Sequence, residues 1–205
     1  MRLLMRTLQK GRSGLTAKLM HHASWSAFVS AVATILGVVT LLMFFGHGEP
    51  WGAINDVTSI VLAVSLLPVL LLLHRLHMRD APVVSLAACA IGALGLIVVI
   101  VLQGLLVLRV ISFAHTAIAV PLAFGLFGAA LIVYGYLACS QESLPPGMGW
   151  LGIIAGAGYV TVIAGFLLGG EQHPLAAIGG LTASICYPIW AIWFGYLLVS
   201  GRWTT

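Results

Sequence analysis

From Ala23 to Thr205 the chain carries only nine Asp, Glu, Lys or Arg residues, each between or at the ends of long apolar runs. A charged side chain at the centre of a lipid-spanning helix costs roughly 2.5 to 3.5 kcal/mol on insertion scales, so charges collect where a chain leaves hydrocarbon. With 61% hydrophobic residues and 7% charged ones, the composition lies outside the soluble globular range. The fold class that follows is all-α, a polytopic membrane helix bundle. Apolar stretches of the roughly 20 residues a crossing helix requires fall at 23–45, 57–74, 82–107, 111–138, 148–168 and 175–199. Six spans therefore account for one domain over 23–205, preceded by a basic segment at 1–22. Between the third and fourth spans Arg109 is the only charge, and a tight hairpin around Arg109, Val110 and Ile111 is expected.

The distribution of Lys and Arg sets the orientation. With both termini cytoplasmic, Arg2, Arg6, Lys10, Arg12, Lys18, Arg75, Arg79 and Arg202 all lie inside, leaving only Arg109 outside. Glu49, Asp56 and Glu171 then belong to outer connections. The leader is read as topogenic: the apolar run to Phe45 exceeds a signal-peptide core and ends without a small-x-small cleavage site. Its leucines also offer contact with an anionic membrane surface. The cations mark membrane orientation and no nucleic-acid partner, because they form no cluster on a folded face. Cys89, Cys139 and Cys186 show no metal or redox spacing and read as small hydrophobes.

Lipid supplies no hydrophobic drive for helix association, so small residues must allow close backbone approach. The fifth span carries Gly149, Gly152, Gly156, Gly158, Gly165, Gly169 and Gly170. It is expected to be a central helix, packed on a span carrying Gly92 and Gly95, or Gly125 and Gly128. Pro68, Pro121 and Pro188 lie in the even-numbered spans, where each frees a carbonyl one turn earlier; Thr116, Thr182 and Ser184 are placed to rebond such groups. Kinks at Pro121 and Pro188 are also where a small transporter would place its cavity.

Three constellations carry possible chemistry. His115 lies a turn inside the fourth span, and His47, Glu49, Asp56, Glu171 and His173 lie in connections on its side. Imidazoles and carboxylates there suit zinc, iron or copper, with His47, His115 and His173 as metal ligands, or hydrogen bonds to a quinone. On the opposite side His21, His22, His74 and His77 flank the first two spans, and a pair such as His22 and His74 is of the type that ligates haem. In the sixth span Tyr187, Trp190 and Phe194, with Trp193 beside them, form a stripe that either walls an apolar ligand pocket or packs against neighbouring helices. Trp25, Trp51, Trp150 and Trp203 sit where interfacial belts are expected. Enzyme motifs are wanting: Ser184 lacks the glycine turn of a serine nucleophile, no HExxH occurs, and no phosphate-binding loop is present.

The C-terminal third carries Pro145-Pro146, Gly149-Trp150-Leu151-Gly152, His173-Pro174-Leu175 and Tyr187-Pro188-Ile189-Trp190-Ala191-Ile192-Trp193-Phe194-Gly195-Tyr196. Over residues 140–200 it resembles a group of small bacterial six-helix membrane proteins of unknown function. The resemblance implies the bacterial cytoplasmic membrane and transfers no activity. The functional expectation is a non-enzymatic bundle, either an accessory subunit of a membrane complex or a binder of an apolar, lipid-like ligand. The alternatives are a redox protein linked to quinone or haem, and a small transporter.

Overall fold

The computed structural model describes residues 2–201, with side chains from Lys18 onward except at position 171. The described chain is helical throughout: α1 (Arg2–His47), α2 (Trp51–His77), α3 (Pro82–Val107), a single turn α4 (Phe113–Thr116), α5 (Ala119–Ser140), α6 (Pro146–Gly169) and α7 (Pro174–Ser200). Six stretches are long and apolar enough to cross a membrane: Lys18–His47, Trp51–His77, Pro82–Val107, Phe113–Ser140, Pro146–Gly169 and Pro174–Ser200. Five contain an expected span whole, and the fourth begins at Phe113, two residues after the expected start. The protein is a multi-pass membrane helix bundle.

The exterior shows which solvent the chain is built for. Val83 is 78% exposed, Leu167 70%, Leu42 66% and Leu181 63%, and such residues cover the outward faces of the helices. A water-soluble protein of this size does not display so much contiguous apolar surface. Trp25 and Trp150 also face outward, as belt residues do, whereas Trp203 lies outside the described residues.

The long helices form a ring in chain order. Each packs against its neighbours in sequence, α1 closes against α7, and α2 barely touches α5 across the middle. The fifth span, α6, is therefore a ring member flanked by α5 and α7. The expectation of a central helix is corrected, since only 28% of its apolar window is buried.

Its glycines still set both contacts. Against α5, Gly149 and Gly156 meet Gly135 and Gly128: a Cβ on Gly135 would stand 2.6 Å from the Gly149 carbonyl oxygen, and one on Gly128 would stand 2.9 Å from that of Gly156. On the other side, Gly158 and Gly165 meet α7, where a Cβ on Gly179 would stand 2.6 Å from the Gly158 carbonyl oxygen and one on Gly165 would strike the Ala176 backbone. Seven residues separate the members of each pair, two helical turns, so each pair lies on one face. A step of two residues, from Gly156 to Gly158, turns the direction by about 200° to the opposite face. Gly92 and Gly95 serve a different contact, between α3 and α5.

The chain turns between spans as local chemistry requires. At the end of α3, Val110 N–H donates to Leu105 C=O and Arg109 N–H to Leu106 C=O, both at 2.9 Å, with Arg109 left-handed at φ 57°. This is a Schellman closure with arginine where glycine is usual, and it forms the expected hairpin. Pro121 does not kink the fourth span in its interior. The helix breaks at Ala117–Ile118 and restarts at Ala119, which places Pro121 in a first turn where its missing N–H costs nothing.

Pro68 and Pro188 do lie inside helices. The expected rebonding of freed carbonyls is corrected as well. Thr116 donates to Phe113 C=O, Thr182 to Ile178 C=O and Ser184 to Gly180 C=O.

Six crossings put both ends of the domain on one side, and the charge rule leads us to expect the cytoplasmic one. Reporter fusions at Gly48 and Gly170 are expected to be active in the external-side assay, and those at Arg79 and Ser143 in the internal one. A reversed pattern would overturn the orientation and leave the helix count standing.

Candidate functional site

Where α1, α2, α5, α6 and α7 surround the half of the ring near the α1–α2 turn, they leave a cavity of about 240 Å³. Its walls run from Ala33 to Leu41 on α1, Asn55 to Leu62 on α2, Val120 to Phe124 on α5, Tyr159 and Val162 on α6, and Gly180 to Ser184 on α7. Small residues at Gly37, Gly180 and Ala183 make the space, and Pro121 contributes to the wall where the fourth span restarts. No Asp, Glu, Lys, Arg or His lines it.

The lining does hold polar groups, and they divide by hydrogen bonding. Thr34 donates to Ser30 C=O at 2.9 Å, Thr58 to Ile54 C=O at 2.7 Å and Ser184 to Gly180 C=O at 2.6 Å, so each hydroxyl hydrogen is already used within its own helix. Thr40 donates to Leu36 C=O at 2.9 Å, with Asn55 Oδ1 farther away at 3.4 Å, and the Asn55 amide nitrogen bonds no described residue. The hydroxyls of Ser59 and Tyr159 make no hydrogen bond with any described residue, and both residues are half-buried.

From this cavity an aromatic series runs toward the other face. Phe124 stacks on Tyr159 at 6.1 Å, Tyr159 meets Tyr187 edge-on at 6.2 Å, Tyr187 lies 6.0 Å from Trp190, and Trp190 stacks on Phe194 at 5.0 Å. Tyr187, Trp190 and Phe194 are buried and packed against their neighbours, and the Tyr187 hydroxyl shares a 2.6 Å hydrogen bond with Ser30. Trp193 covers Gly147 on α6. None of these four lines the cavity, so the stripe is packing; Phe124 and Tyr159 supply the aromatic wall instead. Those two were missed because on their own helices neither belongs to a stripe.

The imidazoles do not gather. Among the described residues no three His, Cys, Asp or Glu side chains come together in a set able to hold a metal ion. His115 pairs with Ser112 at 2.9 Å, and His173 accepts from Leu175 N–H at 3.3 Å as the N-cap of its own helix. His47 has no hydrogen-bond partner among the described residues, and the Glu171 side chain lies outside them. Asp56, expected in a connection, is instead in the second turn of α2, with Gln103 of α3 as its polar neighbour. Gln103 is a buried amide inside a span that sequence reading passed over.

On the terminal side His74 and His77 belong to a polar network joining three helices. His74 Nδ1 shares a 2.8 Å hydrogen bond with Ser85 Oγ, Tyr134 O–H donates to Ser85 C=O at 2.8 Å, and His77 Nδ1 meets Gln141 Oε1 at 2.7 Å. His77 is fully buried and stacks on Tyr134 at 5.9 Å. The network ties α2, α3 and α5 together, with the His74 and His77 Nδ1 atoms already paired within it. His21 and His22 instead contact each other at 6.0 Å.

A ring of six apolar helices with an uncharged, partly hydroxylated recess among five of them defines the class: a multi-pass membrane helix bundle. No protein-family model, no curated protein and no solved structure matches the chain.

Proposed function

We propose that this protein is a non-enzymatic binder of an uncharged, lipid-like ligand, held in the cavity between α1, α2, α5, α6 and α7. The observation that carries the reading is the lining itself. It is apolar over most of its surface, has a few polar groups, and contains no ionisable side chain. Ligand sites are concave and mostly apolar, with a small number of polar groups that fix orientation. An ion would meet no countercharge here, and an unpaired buried charge is prohibitively costly. This argues against ion transport through the cavity.

The setting we propose is the bacterial cytoplasmic membrane, supported by the excess of Lys and Arg in the segments at one end of the spans. Membrane lipids are then the surrounding partners, and so little chain extends beyond the spans that the ligand is expected to arrive from the bilayer.

Purification in detergent followed by solvent extraction and mass spectrometry tests the proposal. An uncharged apolar molecule is expected at close to one per chain, above the level extracted from an unrelated bundle. Extraction of only bulk lipid in the same proportion as the control, together with no binding of added apolar probes, would overturn it. A Soret band in the purified protein would favour the redox alternative.

A further inference from the structure

We infer that the ligand is a carbonyl-bearing lipid whose uncharged oxygen is held inside the cavity by Asn55, Ser59 and Tyr159, with its apolar tail leaving between α1 and α2. This rests on the cavity being a ligand site and adds the chemical class. The argument begins from which hydrogens remain available. Thr34, Thr58 and Ser184 spend theirs on their own helices, whereas Ser59 and Tyr159 have no hydrogen-bond partner among the described residues and the Asn55 amide nitrogen donates to none of them. The walls thus offer donors. A polar group in an apolar interior costs free energy unless it is hydrogen-bonded, and a ligand supplying acceptors removes that cost.

Charge and size narrow the class further. A carboxylate or phosphate would find hydroxyl and amide donors but no cation, since no Lys, Arg or His lines the space. An uncharged ketone, quinone or ester satisfies the donors without that penalty. At about 240 Å³ the cavity is smaller than the roughly 300 to 1,000 Å³ of pockets that enclose a drug-sized molecule. A groove of about 350 Å³ lies beside it between α1 and α2, walled by Trp25, Phe28, Val32, Leu36 and Val61 among others. Ala33 and Thr58 line both spaces, so the two are adjacent, and the groove is the apolar surface nearest to a molecule whose head lies in the cavity.

The test uses the full chain in lipid nanodiscs and three probes of matched chain length: 2-dodecanone, dodecane and dodecanoate. Native mass spectrometry and equilibrium dialysis report the binding. The ketone is expected to bind more tightly than either of the others. Tyr159→Phe is expected to weaken the ketone about three- to tenfold, the range one hydrogen bond supplies, and to leave dodecane unchanged. The melting temperature of the ligand-free variant should match the parent, because the hydroxyl removed bonds no described residue; if it falls, Ser59→Ala provides the same comparison from α2. Equal binding of ketone and alkane, or unchanged ketone binding in both variants, overturns the carbonyl inference and leaves the cavity as an apolar site. Preference for dodecanoate overturns it also. Ketone binding that persists when the cavity is filled by Gly180→Phe would instead remove the cavity from the site, and the proposed function with it.

Discussion

Replacing Gly156 by leucine is expected to lower the melting temperature in detergent by roughly 2 to 12 °C, or to prevent recovery of folded protein. A Cβ at this position would run into the Gly128 carbonyl oxygen, with the Ile132 backbone nitrogen at 2.9 Å. Backbone cannot be moved aside as a side-chain end can. The α5 and α6 helices would have to separate, and overpacking of a tight contact costs about 1 to 3 kcal/mol, with each kcal/mol worth roughly 2 to 4 °C in a chain of this size. In lipid the loss is not recovered by hydrophobic association, because the tails are as apolar as the leucine. Gly104→Leu is the control: it is the same exchange inside α3, with no atom within 4 Å of the added Cβ. It should melt close to the parent. If Gly156→Leu does so too, while remaining monodisperse, the α5–α6 glycine contact is not what holds these helices together.

The second large effect is expected at Gly180, where the same kind of substitution should spare the fold and abolish ligand binding. Gly180 lines the cavity, its φ is ordinary for a helix, and a Cβ there meets nothing within 4 Å. Gly180→Phe therefore adds a ring into existing space. Glycine costs a helix interior about 1 kcal/mol relative to alanine, so removing it offsets some of the ring's ordering cost. Ligand-free melting is expected to equal or exceed that of the parent, while affinity for an apolar probe falls more than about 100-fold because ring and ligand cannot share a space of about 240 Å³. Retained binding would show that the ligand sits elsewhere, and the lipid-facing groove alone would be the next site to test. Gly156 and Gly180 separate the two uses of glycine here. One permits contact, the other leaves a space.

Much of the fold was legible from periodicity and charge. Six spans, the Arg109 hairpin and the glycine-dependent packing of the fifth span all follow from the energetic demands of lipid on a local segment. Readings that needed a partner fared differently. Asp56 looked like a connection residue because a charge normally ends a span, but Gln103 on another helix partners it inside α2. Thr116, Thr182 and Ser184 were read as replacements for proline-freed carbonyls, yet each finds a closer acceptor in its own preceding turn. Tyr187, Trp190 and Phe194 do form a stripe, and its purpose turned on what faces it: the Ser30 hydroxyl and the neighbouring rings leave no room there for a ligand.

The amino-acid sequence alone determined the solvent, and through it the secondary structure. Charges excluded from hydrocarbon and backbone groups that must bond internally leave a chain of this pattern little choice but six helices. Tertiary structure alone decided where the cavity is. Its walls come from five helices between Ala33 and Ser184, brought together because α1 closes the ring against α7 while α2 and α5 stay apart. Helical periodicity reports which face of one helix is buried; it carries no information about which five faces meet, nor about which hydroxyls are left without a partner when they do.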